Sequence, residues 1–284
     1  MTFKTAIVLG STRGIGRALV KRLAAELGRD SQVYLTARSD EDGQRVVAEL
    51  GAEGVAVDYR IFDLADPAAP ARLAAELKQR HGGVDIVVQN GAAMPTPGAP
   101  AATDARAMVE ANSHGTLRVL RAFLPILRAN GRIVVVASSL GVLAQLPESL
   151  RGRFDTTRGD PDAINAAMDD YVASVEAGTA QAQGWPAWVN VPSKVGQVAA
   201  TRAFARQVLR NGQLPPGALI NIANPSVTLT DATRGFMGSV FRPEDAQTPD
   251  EAAVSLAWLA TLAPGASAPY GELVEHRRVI PFGD

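Results

Sequence analysis

Glycines at positions 10, 14 and 16 in the run GSTRGIG follow directly on a short apolar segment and open a helical pattern. Glycine reaches positive φ without a Cβ penalty, its bare backbone lets N–H groups approach a pyrophosphate, and the N-terminus of the following helix attracts negative charge. With Thr12, Arg13 and Ile15 between its glycines, the run is a candidate dinucleotide cradle. Arg38 stands 22 positions after Gly16, at the end of the next apolar run, where a carboxylate would take a ribose 2′-hydroxyl. That run ends Thr36-Ala37-Arg38, without a carboxylate. A guanidinium matches phosphate geometry, and Arg13 adds a second, so the spacing selects a 2′-phosphorylated cofactor, NADP(H). Lys194 is one of only four lysines among 28 basic residues, which makes a compact ammonium there a marked choice.

Such groups need a rigid frame. Short β-branched runs alternate with longer helical patterns along the chain, the signature of a parallel α/β sheet covered by helices. The runs predict strands at 5–9, 32–37, 55–60, 84–89, 132–137 and 219–222, with a short one near 272–274. Their all-apolar character fits strands buried on both faces. Ile15, Leu19, Leu23 and Leu27 recur every four residues and place a helix over 15–27, ended by Gly28. Further helices are expected at 40–50, 67–80, 104–128, 193–210 and 249–262. The polar segment 141–184, too long for an ordinary loop, reads as an insertion with a helix at 162–176, lying over the C-terminal edge of the sheet.

Composition narrows the function. Apolar residues make up 46% of the chain and charged residues 20%, which suits a globular domain. A net charge of −1 gives no electrostatic footprint for nucleic acid or an anionic membrane. No stretch approaches the roughly 18 apolar residues of a membrane span, and the apolar run at 6–9 is too short for a signal-peptide core, so a cytoplasmic protein is expected. Without cysteine, thiolate metal sites are excluded, and three scattered histidines make a His-based metal cluster improbable.

The glycine run, Gln89-Asn90-Gly91-Ala92, Asn112-Ser113-His114-Gly115-Thr116, Ser138-Ser139 and Lys194 together resemble the short-chain dehydrogenase/reductase family, from about Lys4 to the C-terminus. The insertion ending in Gly184-Trp185-Pro186, followed by Ser193-Lys194-Val195-Gly196, is similar to its carbonyl reductase branch. The resemblance implies a single doubly wound Rossmann-type domain over 1–284, with seven parallel strands in the order 3-2-1-4-5-6-7 and NADP(H) across the switch point. It implies that Asp63 and Leu64 contact adenine and that Asn90, with Gly91 and Ala92 after it, borders the adenine ribose. Pro225, Val227 and Thr230 would carry the nicotinamide loop. Lys194 would hold the nicotinamide ribose, Ser139 would bond the substrate carbonyl, and Asn112 would hold a water beside Lys194. The inserted helix would cover the surface through which most relatives form tetramers, leaving a monomer.

Two positions depart from the family pattern. Its proton-exchanging tyrosine lies four residues before the lysine, and here that position is Asn190; its Pro-Gly after the sixth strand is Pro225-Ser226. An amide has no titratable proton near neutral pH and only donates a hydrogen bond. Loss of a general acid typically costs about 10²–10⁴-fold in rate. Three functions follow: reduction of a conjugated C=C bond, with Asn190 and Ser139 as an oxyanion hole; reduction of the C=O bond with a substitute donor, either Ser139, a water chain or Tyr171 of the insertion, whose helical spacing favours packing; and a non-redox role as an NADP-bound isomerase, cyclase or scaffold. Trp185, Trp188, Phe236, Met237 and Phe241 either form an apolar wall for a lipophilic substrate or pack the insertion against the core.

Overall fold

The computed structural model describes residues 3–284. Its first half runs β1 (Thr5–Leu9), α1 (Gly14–Leu27), β2 (Gln32–Ala37), α2 (Asp40–Ala52), β3 (Asp58–Ile61), α3 (Ala69–His81) and β4 (Val84–Gln89). Then come α4 (Ala101–Val109), a π-helical turn (Glu110–Gly115), α5 (Thr116–Phe123) and β5 (Leu127–Val136). The insertion carries α6 (Glu148–Arg151) and α7 (Pro161–Glu176), and α8 (Asn190–Arg210), β6 (Leu219–Ala223), α9 (Asp231–Arg234), α10 (Pro249–Ala260), β7 (Leu273–Glu275) and β8 (Arg278–Ile280) complete the chain.

The strands form one sheet in the order β3-β2-β1-β4-β5-β6-β7-β8. All neighbours are parallel except β7 and β8. Ala6 of β1 lies between Val33 of β2 and Ile86 of β4, which sets the register at the centre. Alternate strand residues serve opposite faces. Ala6, Val8, Leu35, Val88 and Val134 pack under α1, α2 and α10, whereas Ile7, Leu9, Val87, Ile133 and Val135 pack under α3, α5 and the far half of α8. Removing a Val, Leu or Ile side chain from water contributes roughly 1.5–3 kcal/mol each, so these two layers hold the frame.

Local signals explain most boundaries. Gly28 ends α1 at φ 76°, Asp160 caps α7 by accepting from the N–H groups of Asp162 and Ala163 at 3.1 Å, and Thr248 and Glu251 form a reciprocal cap on α10. The structure corrects four expectations. The helix expected over 104–128 starts earlier and divides into α4, the π turn, α5 and a 3₁₀ turn at Leu124–Ile126, where Pro125 breaks the ladder and β5 already begins at Leu127. Strand β3 begins at Asp58 rather than 55. An eighth strand, antiparallel β8, covers the sheet edge through a turn in which His276 and Arg277 have φ of 44° and 66°. Neither residue is the glycine, asparagine or aspartate that marks such a turn, so the sequence reading missed that hairpin. Finally, α7 does not lie over the C-terminal edge of the sheet. It forms an outer layer on α4 and α8, with Ile164, Met168, Tyr171 and Val175 buried among Met108, Val195 and Ala199. Among the described residues no helix is long and apolar enough to cross a membrane.

Candidate active site

A cleft of about 600 Å³ opens at the C-terminal ends of the strands, where β1 and β4 leave the sheet in opposite directions. Gly10, Thr12, Arg13, Gly14 and Ile15 form one wall. Gly10 has φ 71°, and a Cβ there would stand 2.5 Å from Cα of Gly91. Gly16 lies beneath, where a Cβ would meet Nδ2 of Asn90 at 2.7 Å. The turn is pinned to its neighbours: Ser11 Oγ donates to Val8 O at 2.6 Å and accepts from Thr36 N at 2.9 Å, and Gly10 N donates to Thr36 Oγ1 at 2.9 Å. Asn90 Nδ2 donates to Gly10 O at 2.7 Å, so the fourth strand braces the cradle. Backbone brought this close, with side chains excluded, fits a pyrophosphate.

Arg38, Asp63, Leu64, Asn90, Gly91 and Ala92 continue the lining. Among the described residues the exposed Arg38 has no ion-pair partner. Asp42, which the sequence reading missed, also lines this end, but its carboxylate is bonded to Arg45 at 2.7 Å, which holds its pKa below the usual carboxylate range. A free guanidinium beside a paired carboxylate fits a phosphate monoester.

At the other end, Ser139, Asn190 and Lys194 line the cleft together. Ser139 opens a 3₁₀ turn, Ser139–Gly141, whose cap is Ser138 Oγ accepting from Leu140 N at 3.2 Å. Gly141 lets that turn press on α8: a Cβ there would stand 2.8 Å from the carbonyl oxygen of Lys194. Asn190 begins α8, and its Oδ1 is buried with no hydrogen-bond partner among the described residues. Lys194, one turn on, is 5% exposed and donates to Gln197 Oε1 at 2.8 Å. Burial alone pulls its pKa down to about 8.

Asn112 sits in the π turn and does not line the cleft. Its Oδ1 accepts from Ala93 N at 2.8 Å, and its Nδ2 donates to Ala93 O at 3.0 Å and Ser193 Oγ at 2.8 Å. The side chain thus joins the loop after β4 to α8.

Pro225, Val227 and Thr230 line the cleft after β6, with Asn224 and Ser226 beside them. Ser226 has φ 60°, the left-handed region that glycine favours. Its Oγ donates to Glu275 Oε1 at 2.6 Å and lies 3.1 Å from His276 Nε2, and Asn224 Nδ2 donates to the same carboxylate oxygen at 2.5 Å. Three polar side chains therefore hold the serine where a glycine would need no help. Glu275 and His276 lie on β7 and its hairpin, far along the chain, so sequence reading missed them.

Of the five aromatic and methionine candidates, only Phe241 lines the cleft. Trp188 packs on Phe236 and Phe241, with ring centroids 6.1 and 6.3 Å apart, and supports the wall from behind. Met237 is half-buried away from the lining. Trp185 belongs to the insertion core, 4.8 Å from Tyr171 and 6.2 Å from Phe154 between ring centroids. Tyr171 is wholly buried there, with its pKa pushed up to about 12 by burial, and does not reach the cleft. Once the insertion helix packs on α4 and α8, its tyrosine faces inward, away from the reacting end.

Sequence comparison matches residues 4–149 to the family model described as short chain dehydrogenase. The chain is 30% identical to the NADPH carbonyl reductase 1 of Homo sapiens, covering 96% of each chain, and 32% identical to the NADPH carbonyl reductase 3 of Rattus norvegicus, covering 97% of each. The fold is similar to that of salutaridine reductase from Papaver somniferum, with a TM-score of 0.79 at 21% identity over 95% of this chain and 99% of that one.

Proposed function

The chain belongs to the short-chain dehydrogenase family, with relatives of the carbonyl reductase type, and on that premise we propose that it is an NADPH-dependent reductase adding hydrogen across the C=C bond of lipophilic conjugated carbonyl compounds. NADP(H) is the cofactor. The glycine cradle would take its pyrophosphate, Arg38 and Arg13 its 2′-phosphate, Asp63 and Leu64 its adenine, Asn90 the adjoining ribose, and Lys194 the nicotinamide ribose. When bound it supplies a hydride. Relatives named as NADPH enzymes support this choice.

The observation that carries the reading is the composition of the reacting end. Ser139, Asn190 and Lys194 line it together, Asn190 stands where the family pattern has its tyrosine, and Tyr171, the substitute donor, lies in the insertion core. Asn190 and Ser139 can each donate a hydrogen bond to a carbonyl oxygen. In a conjugated substrate, hydride addition at the β carbon would collect charge on that oxygen as an enolate, which these two donors would stabilise. A solvent proton then completes the α carbon, so no side-chain acid is consumed. Direct C=O reduction leaves an alkoxide that must be protonated at once, which an amide does not do. Phe241, backed by Trp188 and Phe236, offers the apolar wall for the substrate. With α7 occupying the outer face of α4 and α8, the chain functions as a single-domain monomer.

The test is label transfer from 4-deuterated NADPH to a panel of lipophilic enones and ketones, with the native chain and Asn190→Tyr. Deuterium at the β carbon of an enone is expected with the native chain. Label at a carbonyl carbon with the native chain would replace this reading with C=O reduction. Label transferred by the tyrosine variant alone would leave the native protein to a non-redox role.

A further inference from the structure

Lys194 is held by a buried polar chain rather than by a carboxylate. Its Nζ donates to Gln197 Oε1 at 2.8 Å, and Gln197 Nε2 donates to Thr116 Oγ1 at 3.2 Å. Thr116 Oγ1 also accepts from Gln89 Nε2 at 3.3 Å, and Gln89 Nε2 reaches Gly91 O at 2.9 Å. Gln89, Thr116 and Gln197 have no exposed surface. They come from β4, α5 and α8, and the chain ends at Gly91, the residue against which Gly10 of the cradle is pressed. A buried run of polar groups is costly unless its members satisfy one another, and here Gln89 Oε1 alone of the run's side-chain atoms is buried without a partner among the described residues, so the bonds made fix the elements they join.

We propose that Gln197 is a positioning residue for Lys194: anchored by Thr116 and Gln89, it fixes the ammonium at the floor of the cleft in register with the glycine cradle. This rests on the reading that Lys194 holds the cofactor ribose. An amide oxygen suits the task better than a carboxylate, because it orients the ammonium without locking it into an ion pair, leaving two N–H groups for ribose hydroxyls. Burial without a counter-charge also leaves Lys194 with its pKa near 8. The charged and titratable groups on the elements around α8 are engaged elsewhere. Glu110 bonds Arg118, His114 bonds Asp169, Arg106 bonds Glu176, Asp162 bonds Arg121, Arg153 bonds Asp170, and Thr96 bonds Asp104. Tyr171 lies in the insertion core, and Arg202 and Arg206 of α8 bond Glu272 and Asp284.

With only four lysines, ¹⁵Nζ-lysine NMR can follow Lys194 in the full chain, assigned by its loss in Lys194→Met. The native ammonium is expected to titrate near pH 8. Gln197→Leu should lower that midpoint by about one unit, and Thr116→Val should lower it less, because each weakens the hydrogen bonding of the charged form. Gln197→Glu should raise it by about 1–3 units. In parallel, Gln197→Leu should weaken NADPH about tenfold at pH 8, and Gln197→Glu should restore binding toward the native value. A Lys194 midpoint unmoved by both Gln197 substitutions overturns the proposal, even if they lower Tm. Midpoints that move as expected in a native chain that fails to bind NADPH would uphold the positioning role and remove the cofactor reading.

Discussion

Two buried cations mark opposite ends of the sheet. Arg132, level with the first residue of β6, is 2% exposed and donates to the carbonyl oxygens of Asn130, Gly131, Gly217, Leu262 and Ala263 at 2.8–3.0 Å. Lys194, at the C-terminal end, is 5% exposed and donates to one amide oxygen. Neither has a carboxylate partner among the described residues. Five carbonyls take the two terminal nitrogens of the arginine, only Nε being left without a partner among the described residues, and they stitch β5, the loop before β6 and the end of α10 into one floor. One acceptor leaves the lysine with donors to spare, facing a cleft. The same unfavourable act, burying a cation, is compensated within the fold at one end and left for a bound molecule at the other.

Exchanging each cation for an apolar residue is the strongest way to break this contrast. Arg132→Met should cost about 3 kcal/mol or more, because it strands five carbonyl groups in the interior, and a urea melt measures the loss. Lys194→Met, which strands only Gln197 Oε1, should cost far less in the melt while weakening NADPH binding and turnover at least tenfold. Equal destabilisation by both would abolish the distinction. Next in size, Arg38→Asp should weaken NADPH about 10–100-fold and NADH far less, since only the former carries the 2′-phosphate; binding titrations with equal losses would remove that assignment.

The smallest effect is on pH dependence. Lys194 has its folded pKa lowered from 10.5 to about 8, so between these values the unfolded chain binds more protons and stability rises with pH. Buried Tyr171 and Tyr270 have raised pKa values and work in the opposite direction above their ordinary value of 10. Tm should therefore climb from about pH 8 to about pH 10 and then fall, and Lys194→Met should flatten the climb. A native profile as flat as the variant's would mean that Lys194 is solvated.

The frame and half the site were legible because they are local. The glycine run between β1 and α1, the apolar runs of the sheet and the period-four face of α1 each express a rule that operates within a few residues. The cleft accordingly gathers Gly10, Arg38, Asp63, Asn90, Ser139, Asn190, Lys194 and Thr230 from signals that each stood alone. Strand β8 was hidden because its turn holds His276 and Arg277 at positive φ without glycine or asparagine.

The chain's own residues determined which chemistry is available: a phosphate cradle, a guanidinium in place of a carboxylate, and an amide four residues before a buried lysine. Tertiary structure decided which groups meet. It turned Tyr171 and Trp185 into the insertion core, tied Asn112 to Ala93 and Ser193, set Ser226 against Glu275, and linked Gln197, the helical neighbour of Lys194, to Thr116 and Gln89. The physical reason is range. Backbone conformation and amphipathic period are set by neighbours, whereas the partner of a buried polar group is whatever the packing of distant elements brings within hydrogen-bond reach.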